Sequence, residues 1–286
     1  MMGRALLGGT LLLAGLVGYG SVGHGLAADG AAPVLDEIYH HLRAHYAEAH
    51  TPQHPSALPG LLGAMDPHTR WLTPAQLDAH RADARRPAAV RVQRHPGAIA
   101  QLSLGGFRPQ TAAQLRAAYQ ALPTVRGVIL DLRDDPGGLI TEAIDVADLF
   151  LPGGPAMHTQ GRTHHRIWRT QPDVLIDVPT VVLVNGGTAS AAEWVASALQ
   201  SRGRAVLIGT PSYGKGSVQT VFELSDGSGL KLTVARAYAL GGAPIDAIGL
   251  RPDPPLHIRP SAQAGDPALA RALRWLQDAP MQEETP

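Results

Sequence analysis

Residues 127–138 read GVILDLRDDPGG, and this stretch decides the fold. GVILDL is a short continuous apolar run, as expected of a strand buried on both faces, and RDDPGG is a turn-forming loop. The same grammar recurs twice downstream. TVVLVN (180–185) runs into GGTASAAEWVASALQ, a loop that opens a helix, and RAVLIG (204–209) runs into the loop TPSYGKGS. With the helical pattern LITEAIDVADLFL between the first two, strands alternate with helices, which implies crossover units and a mostly parallel sheet. In such a sheet the loops that follow strands emerge at the carboxyl edge, where open α/β sheets bind ligands. The three glycine-rich loops are therefore expected on one rim.

Working outward, AIAQLSL (98–104) alternates like a strand and QTAAQLRAAYQAL (110–122) reads as helix. VQTVFEL and LKLTVARAYAL form a strand pair around SDGSG and finish the sheet as a hairpin, while the His- and Arg-rich stretch 158–173 reads as a polar loop. Upstream, Leu35, Ile38, Tyr39, Leu42 and Tyr46 lie on one helix face, TPQHP breaks it, and Thr73 and Pro74 open another helix. The expected organisation is an N-terminal helical subdomain (29–88), a core (89–258), and a C-terminal helix with a polar tail (259–286). Residues 1–28 carry one arginine, the apolar run 5–23 and small residues near Ala27 and Ala28. They read as a secretory signal peptide or a membrane anchor, so export is expected, with membrane contact through this segment alone.

Composition narrows the chemistry. The chain has 286 residues with 24 basic and 24 acidic side chains, which argues against a nucleic-acid or anionic-membrane partner. It has no cysteine, which excludes thiol catalysis, iron–sulfur clusters and disulfides. Only two basic residues are lysine, Lys215 and Lys231, against 22 arginines. Lysine can lose its proton in a protein and arginine cannot.

Thr188 can cap the helix after TVVLVN, leaving Ser190 to face the rim. Lys215, 25 residues later, follows one helix and one strand, a path that returns to the same rim. As a neutral amine Lys215 would take the serine proton. That requires its pKa to fall from about 10.4 to roughly 7–8, a difference of about 4 kcal/mol that burial can supply. The Ala191 amide, at the first turn of the helix, and Gly137 or Gly138 are candidate donors to an oxyanion. Glu193, one turn beyond Ser190, reads as support for the helix start or as a neighbour of the site. Lys231, between Leu230 and Leu232, reads as a solvent-facing charge.

GVILDLRDDPGG, TVVLVNGGTASAAE, GTPSYGKGSVQ and GLKLTVARAYAL…IGLRPDPPL together resemble the carboxy-terminal processing, or tail-specific, serine endopeptidases, from about Ala98 to Ile258. GLLGAMDPHTRWL and DPALARALRWL are similar to that family's N- and C-terminal elements. The resemblance implies a crotonase/Clp-protease-like core, Ser190 as nucleophile, Lys215 as general base, Gln219 as a lysine-orienting amide, and substrates that are protein C-terminal regions. It implies no cofactor and no metal, and leaves an adaptor or a second copy of the chain open as partners. The family commonly has serine where Thr188 and Ala192 stand, and inserts a PDZ domain where this chain has only residues 73–97.

Other chemistries fit the residues less well. Gly209, Gly214 and Lys215 fit G-x-x-x-x-G-K, but Gly216 stands where a phosphate-binding loop needs Ser or Thr. His41 with His45, and His158 with His164 and His165, suggest metal sites, but no HExxH accompanies them. Asp134 and Asp135 read as caps of the next helix. A catalytically silent peptide-binding or scaffold protein of the same fold is the alternative function.

Overall fold

The computed structural model describes residues 32–47, 58–253 and 265–279. The signal or anchor reading of residues 1–28 lies outside them. In chain order the elements are α1 (Ala32–His45), α2 (Leu58–Met65), β1 (Arg70–Leu72), α3 (Pro74–Ala84), β2 (Val90–His95), β3 (Ile99–Leu104), α4 (Thr111–Gln120), β4 (Gly127–Asp131) and α5 (Ile140–Asp148). There follow β5 (Gly154–Gly161), β6 (His165–Thr170), β7 (Thr180–Val184), α6 (Ala191–Ser201), β8 (Val206–Gly209), β9 (Ser217–Glu223), β10 (Gly229–Tyr238) and α7 (Pro267–Asp278).

One sheet has the order β2-β3-β4-β7-β8, with β3, β4, β7 and β8 parallel and β2 antiparallel on the edge. Its central strands are apolar without interruption because they alternate between two cores. Val128, Leu130, Val182, Val184 and Leu207 face a large cluster with α5 and α6. Ile129, Val181, Leu183 and Ile208 face the stripe Ala268, Ala272 and Leu276 of α7. Each fully buried aliphatic side chain contributes about 1.5–3 kcal/mol, so the two faces together fix the strand register.

The expected terminal hairpin belongs instead to a second, wholly antiparallel sheet. Its order is β1-β10-β5-β6, and β9 also pairs with β10. The stretch read as a polar loop makes the β5–β6 hairpin. Its side chains are too polar to signal a buried strand, and the pairing is supplied by β10, where Tyr238 partners His158 and Ala235 partners Gly161. His158 and His165 lie across this hairpin with ring centroids 5.4 Å apart, and His158 stacks on Tyr238. His41 and His45 stack on Phe222, so α1 turns that face to β9.

Leu230 and Leu232 of β10 pack with Ile38, Leu42 and Tyr46 of α1. The opposite face of β10, carrying Lys231 and Thr233, turns toward the junction between the sheets. α6 lies between the layers, in contact with β8 and β5, and Ala191 through Leu199 are all buried. The chain passes from one sheet to the other through residues 210–216, which puts that loop at the seam.

At the start of that crossing, Gly209 has φ 140°, and a Cβ there would lie 1.9 Å from the Val184 carbonyl oxygen. Gly209→Ala is expected to destabilise the protein by roughly 3 kcal/mol or more, since both backbone strain and a backbone clash must be relieved. Urea denaturation checks this, and a wild-type midpoint would contradict it.

Candidate active site

Loops 132–139, 185–190 and 210–216 leave the carboxyl ends of β4, β7 and β8, and Thr188 stitches them together. Its buried hydroxyl donates to the Leu132 carbonyl at 2.8 Å and accepts from the Asn185 amide at 3.0 Å. Its carbonyl accepts from the Tyr213 amide at 3.0 Å. Asn185 and Asp134 exchange two further hydrogen bonds at 3.0 Å. Thr188 therefore holds the rim, and the helix start falls to Ser190.

Ser190 is 5% exposed, with φ 55° and ψ −123°. An ordinary N-cap is extended; a positive φ on a residue with a Cβ is strained and persists only where its surroundings over-determine it. Gly137 is part of that surrounding. A Cβ on Gly137 would lie 2.6 Å from the Ala189 carbonyl oxygen, 2.7 Å from the Ala191 nitrogen and 2.8 Å from the Ser190 Cβ.

The Glu193 carboxylate completes the clamp and is fully buried. Oε2 accepts from the amides of Ser190 and Lys215, both at 2.8 Å. Oε1 accepts from the Ser212 hydroxyl at 2.5 Å and the Gly214 amide at 2.7 Å. Burial pushes this carboxyl up, against four hydrogen bonds that favour the anion. One side chain thus binds the helix start carrying Ser190 to the loop carrying Lys215.

Lys215 is 8% exposed, and its pKa falls to about 8, first through burial and then through Arg70, with Glu193 opposing. His68 also faces it electrostatically. Among the described residues the Lys215 amine makes no hydrogen bond to the Ser190 hydroxyl or to Gln219. Gln219 is buried, its Nε2 donating to Ser217 Oγ at 2.7 Å and Thr233 Oγ1 at 3.3 Å. Ser217 opens strand β9 rather than a helix, which removes the phosphate-loop reading.

Among the described residues, the Ala191 and Gly138 amides on the rim have no acceptor. The Ala191 N–H opens α6 and has no intrahelical partner. Phe107 donates to the Gly137 carbonyl and accepts from the Leu139 amide, which leaves the Gly138 N–H facing the other way. The Gly137 N–H, by contrast, donates to Asp135 Oδ1 at 2.8 Å. Asp135 is fully buried, and its pKa is pushed up to about 7 by burial against its amide donors.

Lys231 corrects the sequence reading. It is 4% exposed, and burial, with Lys215 and Arg70 adding, lowers its amine to about 7. Alternation with Leu230 and Leu232 did place it on the opposite face. That face is covered by the seam between the sheets and by α3, whose His80 senses the Lys231 charge. A strand pattern tells which face a side chain occupies, not whether a second layer lies over it. Sequence reasoning also missed the surroundings of Gln219: Asp66, Thr69 and Thr233, joined by hydrogen bonds that reach across more than 160 residues. The only signal was that Asp66 and Thr69 sit in DPHT.

The family model described as Peptidase family S41 matches residues 98–256. The carboxy-terminal-processing protease of Bartonella bacilliformis is 39% identical over 201 residues, 63% of this chain and 46% of that protein. The carboxyl-terminal-processing protease of Synechocystis is 44% identical over 128 residues, 44% of this chain and 30% of that protein. The match thus spans less than half the length of either relative. Among solved structures, a photosystem II D1 C-terminal processing protease superposes with a TM-score of 0.65 at 22% identity, covering 85% of this chain and 96% of that one. A lipoprotein from Streptococcus agalactiae gives 0.70 at 15% identity, covering 90% and 99%. At these identities the likeness is one of fold, a mixed α/β fold common to all three.

Glu193→Gln keeps the shape of the clamp but turns an NH₂ toward two of its four donors. A loss of about 2–4 kcal/mol is expected, from two buried donors left without acceptors. Urea unfolding measures it, and a wild-type midpoint would show that the clamp contributes nothing.

Proposed function

Because the chain belongs to peptidase family S41, we propose that it is a serine endopeptidase cleaving in the C-terminal regions of exported proteins, with Ser190 as nucleophile and Lys215 as general base. The observation that carries this reading is the Glu193 clamp, which ties a strained serine and a buried, depressed-pKa lysine into one frame. The names of the relatives, carboxy-terminal-processing proteases, support the substrate class. Residues 73–97 form α3 and the edge strand β2, which supports a member without a domain inserted there. The crotonase/Clp-like description of the core belongs to the same proposal, as do export and placement in the periplasm or cell envelope.

In the mechanism, the neutral Lys215 amine takes the Ser190 hydroxyl proton as Oγ attacks the substrate carbonyl. The tetrahedral oxyanion is held by the Ala191 amide with that of Gly138, while Gly137, its own amide engaged, shapes the floor. The Lys215 ammonium gives its proton to the departing amine, leaving an ester on Ser190. A water molecule, deprotonated by the same amine, then releases the new carboxylate and restores the serine. Gln219 orients the lysine. β9, which pairs only with β10 among the described residues, offers a free edge beside Lys215 for an extended peptide.

The lowered pKa sets the size of the effect. At pH 7 a lysine of pKa about 8 is roughly one-tenth neutral, about 300-fold more than one at its ordinary value. Activity therefore requires the deprotonated form, and kcat/KM is expected to rise about tenfold per pH unit below pH 8 and level off above it. Ser190→Ala and Lys215→Arg should each lose at least ~1,000-fold activity toward unfolded protein and C-terminal peptides. Retained cleavage in Lys215→Arg would eliminate the amine as base. Equal inertness of wild type and Ser190→Ala would favour a silent binding protein.

A further inference from the structure

The buried Thr233 hydroxyl sits between two partners. It donates to Asp66 Oδ1 at 3.1 Å and accepts from Gln219 Nε2 at 3.3 Å. The direction of this chain is fixed at its far end. Asp66 Oδ1 also receives the amides of His68 at 2.8 Å and Thr69 at 2.9 Å, and Oδ2 receives the Thr69 hydroxyl at 2.6 Å. A carboxylate enclosed by donors only accepts, so the single hydroxyl proton of Thr233 goes to Asp66. The Thr233 oxygen can then only accept, and the end of Gln219 facing it must be NH₂. The second N–H of that group goes to Ser217 Oγ at 2.7 Å.

The two ends of a glutamine amide are ordinarily a matter of assignment; here the carboxylate decides. With both N–H groups used, Oε1 is the end left over. A lysine ammonium offers donors alone and can be held only by an acceptor. Ser217 and Gln219 lie two residues apart in β9, so both are on one side of it, and Lys215 lies two residues before the strand begins; His68, from the same turn as Asp66, faces Lys215 electrostatically.

Resting on the dyad reading above, we propose that Asp66 and Thr233 are positioning residues for the general base: they set the polarity of the Gln219 amide so that its carbonyl oxygen, not its NH₂, is presented to Lys215. This gives the DPHT turn, which follows α2 and precedes β1, a role in the reaction carried out by the core. The polarity matters because the reversed amide would direct partial positive charge at an ammonium that must form in every catalytic cycle.

The test is Thr233→Val, which keeps side-chain shape and removes the hydroxyl, with Thr233→Ser as the rescue. A carbonyl oxygen against an ammonium favours the charged form, so losing it lowers the lysine pKa. In the full chain kcat should fall about tenfold with KM within about twofold, while the acid limb of the rate profile moves to lower pH. Thr233→Ser should restore both. Loosened packing that admits water would move the limb the other way, toward the ordinary lysine value. The charged groups facing Lys215 (Arg70 of β1, Glu193 of α6, His68 of the turn and Lys231 of β10) are unchanged in both variants. An activity-free readout runs alongside: acetylation of Lys215 by acetic anhydride against pH, followed by mass spectrometry in the Ser190→Ala background. Its midpoint should drop with Thr233→Val, or with Thr233→Ala if the valine variant does not fold. An unchanged or raised midpoint overturns the inference, as does failure of serine to rescue. A wild-type protein without Ser190-dependent cleavage would instead sink the peptidase reading, and the acetylation result would still decide the polarity.

Discussion

The site depends on burying one carboxylate between the start of α6 and the loop after β8. Glu193 is costly to desolvate, and leaving any of its four donors without it would cost about 1–3 kcal/mol each. Those donors belong to Ser190, Ser212, Gly214 and Lys215. Satisfying all four at once requires the start of α6 and the loop after β8 to meet in one geometry. The strained backbone of Ser190 follows from that, because its amide must point at Glu193 while its carbonyl begins the helix. Gly137 and Gly138 follow as well, since a Cβ at either would strike the neighbouring backbone.

The same carboxylate works against the proposed base that it positions. A negative charge near Lys215 favours the ammonium, yet the amine falls to about 8 because burial and Arg70 outweigh it. Glu193 meets Lys215 through the backbone amide, so its charge is largely spent on four hydrogen bonds before it reaches the side chain. The arrangement separates holding a residue from holding its proton. A lysine paired with Glu193 through its ammonium would be just as fixed and unable to act as a base at neutral pH.

How much of this was legible depended on sequence distance. GVILDL, TVVLVN and RAVLIG announced their strands because each is buried on both faces, and the loops after them followed from parallel topology. Ser190 and Lys215 could be brought to one rim because a single helix and strand separate them. The second sheet could not be read in this way. β5 and β6 carry His158, His165, Arg166 and Arg169, and their strand character comes from β10 rather than from their own periodicity. Lys231 was misjudged for the same reason, since the layer covering it comes from the other sheet and from α3. Asp66 and Thr233 met only once α2, β1 and β10 had been placed together, and no local pattern states that DPHT touches a strand more than 160 residues later.

The lysine at position 215 also sets a limit on how stable this fold can be. Burial lowers its pKa to about 8, which corresponds to about 3 kcal/mol against folding at neutral pH. The unfolded chain binds that proton more tightly, so the penalty is complete below pH 8 and fades as pH rises toward 10.5. Arginine at this position would carry the burial without the option of becoming neutral, and would remove the proposed base as well. In a chain with 22 arginines and two lysines, a lysine falls where the proposed mechanism needs a cation that can lose its proton. The apolar clusters on both faces of the parallel sheet offset the penalty, and they include residues of β4, β7 and α6, the elements next to the rim. The burial of those elements and the strain of Ser190 are therefore one design: the core supplies the free energy that keeps an unfavourable backbone angle and an unfavourable amine in place.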